Sequence, residues 1–375
     1  LAVAKLIHEQ GTQAMQYGSG QGELFMREHI VEVMAEEGIH AHADDVVVSC
    51  GSQQALDLVT RVFCDPGDVV LAEGPSYVGA LGTFRAYQCQ IVHVAMDDHG
   101  IDPVALTQAI VTLRAAGKRV KFLYTIPNFQ NPTGVTQPVE RRRELIAIAK
   151  EYDLLILEDN PYGLLTLEAE PLPALRSMDA EHVIYLGSFS KTFAPGFRVG
   201  WVVAPPAVRE KLVLTQEAAT LAPPVFSQYV ISSYLEQFDW RGQIDVFRAM
   251  YRARRDAMME GLTENMPADT TWTHPAGGFF VWVTLPEGLD SQAILPRAVS
   301  ERVAFTPGPA FYADGLGSRN MRLSFCFPTP ERILEGTRRL GKVLANELEM
   351  HRTFGLHDAP TPHIELQTGP APNTS

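Results

Sequence analysis

The sequence predicts an α/β protein with a large three-layer αβα domain, built on a mostly parallel seven-stranded sheet, and a smaller α+β domain. Between residues 45 and 217, short apolar segments alternate with helical patterns, as in a parallel sheet whose strands are joined by helices. The apolar segments are rich in Val, Ile and Leu without strict alternation, which is typical of strands covered on both faces. The length of 375 residues suits two domains.

Seven segments are predicted as strands of the large sheet: 45–49, 69–73, 90–94, 120–124, 154–158, 183–187 and 199–203. The helices predicted between and after them are 53–63, 77–87, 103–116, 139–151 and 207–217. Because strands and helices alternate along the chain, we expect the helices to cover both faces of the sheet.

From about residue 240 the pattern changes. A long charged amphipathic helix is predicted at 240–264, followed by strands at 277–285 and 321–325 and by a closing helix at 330–348. The strands here are fewer and alternate more regularly, so they indicate a second unit. The predicted domains are a large domain at 18–240, a small domain with the interdomain helix at 1–17 and 241–352, and a disordered tail at 353–375.

The two ends of the chain support these boundaries. The tail is predicted to be disordered because five Pro or Gly residues fall between Gly355 and Pro370, with little apolar periodicity. Residues 1–16 have the pattern of a helix and lack the charged and then apolar order of a signal peptide. Since residue 1 is Leu, we expect the natural chain to begin earlier.

Composition narrows the class of protein. Lys and Arg number 31 against 44 Asp and Glu, a formal net charge of −13, which disfavours a nucleic-acid partner. No apolar run approaches the roughly 18 residues of a membrane span, and the four cysteines are scattered, so neither a disulfide framework nor a metal site is predicted. The arginines at 141–143 and 252–255 are predicted to lie on solvated helix faces. These features favour a cytoplasmic enzyme.

Polar side chains follow four of the predicted strands at the point where each strand ends. In an open parallel sheet, ligands bind beyond the carboxyl ends of the strands. The first, fourth, fifth and sixth strands lead in turn into Gly51-Ser52-Gln53, Asn131-Pro132-Thr133-Gly134, Asp159 with Tyr162, and Ser188-x-Ser190-Lys191 with Arg198. We therefore expect these groups to share one site.

Together these groups match the needs of pyridoxal phosphate. This cofactor requires a lysine that holds its aldehyde as a Schiff base and a carboxylate that keeps its ring nitrogen protonated, for which Lys191 and Asp159 are the candidates. A helix that begins at Gly51-Ser52-Gln53 and the cation of Arg198 suit a phosphate dianion. The other polar groups are assigned to the same cofactor: Ser188 and Ser190 to its phosphate, and Tyr162 and Asn131 to its phenolic oxygen.

The same motifs carry a family resemblance. Asn131-Pro132-Thr133-Gly134, Asp159-x-x-Tyr162 and Ser188-x-Ser190-Lys191 with Arg198 resemble the class I/II aminotransferases of the fold-type I pyridoxal-phosphate enzymes. The spacings of 28 residues from Asn131 to Asp159 and 32 from Asp159 to Lys191 fit that family. The segments 51–57 and 127–132 look most like 2-aminoadipate and kynurenine-type aminotransferases, and like the aminotransferase-like half of MocR-type regulators. The resemblance extends over about residues 17–342.

The resemblance implies a role for each matching residue. Lys191 is the Schiff-base lysine and moves the substrate Cα proton, and Arg322 clamps the substrate α-carboxylate with Asn131 beside it. Tyr77 stacks on the cofactor ring. Tyr17 reaches the phosphate of the neighbouring subunit, which implies a homodimer with shared active sites. The phosphate cup consists of Gly51, Ser52, Gln53, Ser188, Ser190 and Arg198, while Asp159, Tyr162 and Asn131 hold the ring.

By resemblance, the function is transfer of the amino group of an L-amino acid to a 2-oxo acid, with 2-oxoglutarate as the acceptor, in two half-reactions. Two alternatives remain open. Decarboxylases and β-eliminating lyases use the same lysine and aspartate, and a MocR-type regulator would use the fold to sense a ligand. The amino-acid donor also stays open among acidic, aromatic and branched aliphatic side chains.

Overall fold

The computed structural model describes residues 2–354. Of the tail predicted at 353–375, only residues 353 and 354 are described, and they belong to the last helix. The remainder of that prediction lies outside the described residues. Among residues 2–354, no helix is both long enough and apolar enough to cross a membrane.

The large sheet contains eight strands, one more than predicted. Their bounds are β1 Val46–Ser49, β2 Val69–Gly74, β3 Gln90–Asp97, β4 Gly100–Ile101, β5 Val120–Thr125, β6 Leu155–Asp159, β7 Val183–Ser188 and β8 Gly200–Val203. All seven predicted strands are present. The prediction missed β4, because a strand of two residues shows no periodicity in the sequence.

The order of the strands is β1-β8-β7-β6-β5-β2-β3-β4. Strands β3, β2, β5, β6 and β7 run parallel, whereas β8 is antiparallel to both β7 and β1, and β4 is antiparallel to β3. The predicted mostly parallel sheet is therefore confirmed. Because β1 points the same way as β7, the carboxyl ends of β1, β2, β5, β6 and β7 meet at one edge of the sheet.

Twelve α-helices lie within residues 2–354, namely α1 Ala2–Ala14, α2 Leu24–Ala35, α3 Ser52–Phe63, α4 Val78–Ala86, α5 Pro103–Ala115, α6 Val139–Glu151, α7 Leu175–Met178, α8 Pro206–Thr220, α9 Val225–Gln237, α10 Trp240–Asn265, α11 Ser291–Ser300 and α12 Pro330–Phe354. Short 3₁₀ helices occupy Ala43–Asp45, Pro195–Phe197 and Gly308–Phe311. Every helix predicted from the sequence is present, α12 being six residues longer than expected.

Two apolar clusters make the αβα layers. On one face, Leu56 of α3 and Phe84 of α4 pack with Phe122 of β5, all completely or almost completely buried. On the other face, Ile110 of α5 and Leu145 of α6 pack against alternate strand residues. The sheet is thus covered on both sides, as the apolar strands predicted, and its polar groups are left at the carboxyl edge.

The second unit has its own sheet and core. Its four strands are β9 Thr271–Trp272, β10 Phe280–Thr284, β11 Thr306–Pro307 and β12 Asn320–Ser324, in the order β11-β12-β10-β9 and all antiparallel. Residues of α10 and α12 cover one face of this sheet. Helix α1 packs against α9. The residue boundaries of the two domains stay predictions.

Candidate active site

The predicted polar groups line one cavity at the carboxyl edge of the large sheet. Its volume is about 270 Å³. Larger clefts of about 430 and 580 Å³ lie between α1 and α9 and beside the end of α12, away from these groups. The lining residues that the sequence predicted are Ser52, Gln53, Tyr77, Asn131, Asp159, Tyr162, Ser188, Ser190, Lys191, Arg198 and Arg322.

Lys191 follows β7 in a turn that carries its amine into this cavity. Its Nζ atom lies 5.9 Å from the ring centroid of Phe279. Burial disfavours the charged amine and lowers the pKa of Lys191 from its usual value, and the nearby Arg198 acts in the same direction. A lowered pKa increases the fraction of Lys191 that is in the neutral, nucleophilic form near neutral pH.

Asp159 ends β6 and is 5% exposed. Its Oδ2 accepts a hydrogen bond of 2.8 Å from the hydroxyl of Tyr124, while Oδ1 is buried without a partner among the described residues. Burial raises the pKa of Asp159 to about 6, although the Tyr124 hydroxyl and Lys191 lower it. A buried carboxylate oxygen without a donor is a site for a cationic N–H group. Tyr124 was not predicted as a site residue, because nothing in the sequence of β5 distinguishes it from the other residues of the strand.

An anion site is built where α3 begins. Gly51 is the N-terminal cap of α3 with φ 77° and ψ 163°, and Arg198 adopts the left-handed conformation with φ 53°. Nη1 of Arg198 donates to Oγ of Ser190 at 3.4 Å and Nη2 donates to the Cys50 carbonyl at 3.3 Å. The Ser188 hydroxyl donates to Ser190 Oγ at 2.9 Å. Guanidinium, hydroxyls and helix N-terminus thus converge on one point.

Glycines allow this close approach. A Cβ at Gly51 would lie 2.2 Å from Nη2 of Arg198, and a Cβ at Gly200 would lie 2.5 Å from the backbone nitrogen of Ser52. Gly200 pairs with both Ser49 on β1 and Ser188 on β7. The absence of side chains at these two positions therefore brings the three strand ends together.

Two tyrosines line the cavity from different elements. Tyr77 precedes α4, and its hydroxyl donates to Oε1 of Gln53 at 3.3 Å. Tyr162 is 4% exposed, with its ring centroid 5.4 Å from that of Phe279 and 6.3 Å from that of Phe280. Burial raises the pKa of Tyr162, so its hydroxyl remains a hydrogen-bond donor at neutral pH.

Arg322 enters the cavity from β12 of the second unit. Nη1 donates to Oδ1 of Asn131 at 2.8 Å and Nη2 to Oγ1 of Thr306 at 3.3 Å, while Nε is buried without a partner among the described residues. The guanidinium carbon lies 4.1 Å from the ring centroid of Phe280 and 5.0 Å from that of Phe311. These rings were not predicted, because only the folded chain brings them to the arginine.

The structure does not bring Tyr17 to the cavity of its own chain. Tyr17 is 83% exposed and is absent from the lining. The sequence analysis assigned this residue to the site of a neighbouring subunit, and that assignment stays a prediction. The prediction of solvated arginines was wrong for three of them: Arg142 is fully buried and donates to Asn128, and the side chains of Arg141 and Arg255 are only 12% and 11% exposed, in ion pairs with Asp97 and Glu168.

Three observations show that the cavity fits pyridoxal phosphate. The unpaired Oδ1 of Asp159 suits a protonated ring nitrogen, and the Gly51 turn with Arg198 suits a phosphate dianion. Lys191 supplies a primary amine with a lowered pKa on the same cavity. Together with the αβα fold, this set of groups defines a pyridoxal-phosphate-dependent enzyme.

Comparisons with known proteins name the family. The model of aminotransferase class I and II matches residues 1–340. Aromatic-amino-acid aminotransferase 1 of Thermococcus litoralis is 41% identical over 347 residues, 92% of this chain and 83% of that protein. The 2-aminoadipate transaminase of Thermus thermophilus is 37% identical over 353 residues, 93% of this chain and 86% of that protein.

A solved structure agrees with these matches. Kynurenine aminotransferase of Pyrococcus horikoshii aligns with a TM-score of 0.89 and 40% identity, over 92% of this chain and 86% of that chain. The chain belongs to the class I and II aminotransferase family, and the resemblance derived from its motifs is confirmed.

Proposed function

We propose that this aminotransferase moves the amino group of an L-amino acid to a 2-oxo acid, with 2-oxoglutarate as the acceptor, in two half-reactions. The observation that carries the proposal is that Lys191 and Arg322 line the same cavity, from two different units of the chain. A primary amine and a fixed guanidinium at one cavity suit a substrate that brings an α-amino group and an α-carboxylate together.

When it is bound, pyridoxal phosphate acts as an electron sink for the substrate Cα. Lys191 then serves as the base that takes the Cα proton on Nζ and returns it, which its lowered pKa favours. Asp159 would keep the ring nitrogen protonated through Oδ1. Tyr162 and the Asn131 amide would donate to the phenolic oxygen, and Tyr77 would cover one face of the ring.

Arg322 favours amino-group transfer over the loss of carbon dioxide. The guanidinium is held by Asn131, Thr306 and two aromatic rings. It would keep a bound α-carboxylate in place, because a guanidinium can donate two parallel hydrogen bonds to a carboxylate and this one is partly desolvated. This geometry does not by itself exclude β-elimination. An amino donor that yields its 2-oxo acid only when 2-oxoglutarate is present separates transfer from elimination.

The donor is proposed from the relatives, whose names specify aromatic amino acids, 2-aminoadipate and kynurenine. These three lead a panel that also includes aspartate, leucine and alanine, each with 2-oxoglutarate. The panel measures kcat/KM for each donor and detects glutamate as the second product. A protein that binds the cofactor but forms glutamate from no donor would contradict the proposed function and favour a ligand-sensing module.

Lys191→Ala is the direct test of the assigned lysine. We expect turnover to fall by 10²-fold or more, on the order of a lost acid–base group, and the visible absorbance of the covalently bound cofactor to disappear. Lys211→Ala, on the exposed surface of α8, is the matched control and should behave as the parent. Full turnover of Lys191→Ala would refute the assignment.

We also propose a cytoplasmic homodimer in which Tyr17 completes the partner's phosphate site. Tyr17 is exposed in a single chain, which suits a residue that another subunit covers. Light scattering measures the molar mass of the protein in solution and so tests the homodimer. If the site is shared, mixing inactive Tyr17→Ala with inactive Lys191→Ala subunits restores activity, because a hybrid dimer contains one site with both native residues; mixtures that stay inactive contradict sharing.

A further inference from the structure

A buried carboxylate that no step of the reaction uses lies beside this cavity. Glu73, on β2, is 0% exposed. Its Oε1 accepts hydrogen bonds from the Thr125 hydroxyl at 2.6 Å and from Gln137 Nε2 at 3.3 Å. Its Oε2 accepts from the Ile126 backbone N–H at 3.1 Å and from Gln130 Nε2 at 3.0 Å. Both oxygens are therefore satisfied, each by two neutral donors.

Gln130 connects Glu73 to the loop that follows β5. Its Nε2 also donates to the Pro75 carbonyl at 2.8 Å. Its Oε1 accepts from both the backbone N–H and the hydroxyl of Thr133, each at 2.8 Å. The side chain of Gln130 thus uses both of its donors and both acceptor positions. Asn131 lies between Gln130 and Thr133, so the loop is fixed on either side of it.

The same carboxylate connects two walls of the cavity. Through Gln130 it joins the Asn131 loop to Pro75, two residues before Tyr77. Asn131 in turn accepts from Arg322. Glu73 is therefore linked to the group proposed to hold the substrate carboxylate by two hydrogen bonds, Gln130 to Glu73 and Arg322 to Asn131, with the backbone between Gln130 and Asn131 joining them.

We propose that Glu73 is a positioning residue: through Gln130 it holds Asn131 where the Asn131 amide can both donate to the phenolic oxygen of pyridoxal phosphate and brace Arg322. The part of this inference that concerns Arg322 rests on the proposed function. The part that concerns cofactor binding does not. Glu73 touches neither substrate nor cofactor and acts through the loop.

The chemistry of the site explains why a carboxylate occupies it. Four donors converge on two oxygens, and an amide would direct its own N–H₂ group at two of those donors. Burial raises the pKa of Glu73 to about 7, although the four hydrogen-bond donors lower it. Keeping this carboxylate charged near neutral pH therefore lowers the stability of the fold. An unfavourable charge retained at a site wall indicates a function other than stabilising the fold.

The experiment compares Glu73→Gln with Glu158→Gln. Glu158, on β6, is also 0% exposed and lies opposite Thr125 of β5. It accepts from the backbone N–H groups of Leu175 at 2.9 Å and Arg176 at 2.8 Å, at the start of α7. Both substitutions remove a buried carboxylate from the same region of the sheet. Only Glu73 is connected to the Asn131 loop.

Three readouts are measured on the purified full chain: the melting temperature, the Kd of pyridoxal phosphate for the cofactor-free protein, and the midpoint of the pH titration of the bound cofactor's visible band. We expect Glu73→Gln to weaken cofactor binding about tenfold and to shift the band's midpoint upwards, because the phenolic oxygen loses its fixed donor. Glu158→Gln should lower the melting temperature and leave the other two readouts within threefold of the parent and unshifted.

Gln130→Ala is the second variant and should reproduce the effect of Glu73→Gln, with the double variant no worse than either single one. If Glu73→Gln does not fold, Gln130→Ala tests the inference without it. Unchanged cofactor affinity and band midpoint in the folded variants would overturn the inference, whatever the melting temperature does. Both readouts apply even if the protein transfers no amino group, so a failure of the proposed function is detected separately.

Discussion

Nη1 of Arg322 donates to Oδ1 of Asn131 at 2.8 Å, which joins β12 of the second unit to the loop that follows β5 of the large sheet. With Oδ1 engaged by the guanidinium, the Nδ2 amide of Asn131 is the group left to donate to a ligand. The clamp proposed for the substrate carboxylate and the donor proposed for the cofactor oxygen therefore hold each other in place. Disturbing one is expected to disturb the other.

A double-mutant cycle between Arg322 and Asn131 tests this coupling. Arg322→Ala should lower kcat/KM for the amino donor by about 10²-fold, since a charge-assisted hydrogen-bonded contact with the substrate is lost. Asn131→Ala should cost about tenfold. The double variant should lose less than the product of the two, with a coupling energy of about 1 kcal/mol, because each single change already breaks the shared bond.

Arg319→Ala is the control for this cycle. Arg319 immediately precedes β12 and donates to the Leu285 carbonyl away from the cavity, so its loss should leave kcat/KM within a few-fold of the parent. Strict additivity between Arg322→Ala and Asn131→Ala would show that the observed bond carries no functional coupling.

The turn at Gly51 can be tested against a second glycine with a positive φ. Gly51 and Gly67 have φ values of 77° and 85°, so Ala at either position is strained by about 1–3 kcal/mol. A Cβ at Gly51 would also meet Arg198, whereas nothing lies within 4 Å of a Cβ at Gly67. We expect Gly51→Ala, and not Gly67→Ala, to weaken pyridoxal-phosphate binding tenfold or more, measured by fluorescence titration. Equal affinities of the two variants would exclude the close approach as the cause.

His93 ties the Phe311 segment to the large sheet. Its Nδ1 donates to the Glu73 carbonyl at 2.7 Å, and its Nε2 accepts from the Ala313 backbone N–H at 2.8 Å. Since Phe311 packs near the guanidinium of Arg322, His93→Ala should raise KM for the amino donor about three- to tenfold, in line with one or two lost hydrogen bonds, while kcat changes less.

His182→Ala is the matched control for this change. His182 contacts Asp179 through Nδ1 at 3.0 Å, at the end of α7 and away from the cavity. We expect a lower melting temperature with an unchanged KM. If both histidine variants raise KM equally, loss of overall stability rather than the Ala313 contact is the reason.

Much of this site followed from the sequence because of one property of parallel sheets. The carboxyl ends of parallel strands meet at one edge, so residues such as Asn131, Asp159 and Lys191 are brought together by strand order alone. The strands themselves were recognisable because both faces are covered, which leaves uninterrupted apolar runs. No distance between the groups was needed to infer that they share a cavity.

What the sequence did not reveal depends on contacts between distant segments. Tyr124 bonds Asp159 from the neighbouring strand, and Phe280 approaches Arg322 across β10 and β12. Glu73 lies in an apolar strand where a single acid gives no local signal. Arg142 shows the limit most clearly: a charged position on a helix was predicted to face solvent, yet its guanidinium is buried because loop carbonyls and Asn128 accept its hydrogen bonds.

The raised pKa of Asp159 makes cofactor binding depend on pH in a defined direction. In the cofactor-free protein this pKa is about 6, because burial outweighs the Tyr124 hydroxyl and Lys191. A protonated ring nitrogen beside Oδ1 favours the ionised carboxylate, so binding below this pKa must release a proton. We therefore expect the titration of Asp159 to lower the affinity by up to about tenfold for each pH unit below about pH 6, and to leave the affinity unchanged above it.

Pyridoxamine phosphate is the better ligand for this measurement, because its affinity does not include the Schiff base with Lys191. Its phosphate also titrates near pH 6, so Asp159→Asn serves as the matched control that retains the phosphate titration and lacks the carboxylate. Calorimetry from pH 4.5 to 8 should show a steeper loss of affinity for the parent than for Asp159→Asn at the acidic end. Lys191→Ala should keep the steep loss but show it from a higher pH, because it lacks the cation that lowers the pKa of Asp159. Parallel curves for the parent and Asp159→Asn would show that Oδ1 does not pair with the ring nitrogen.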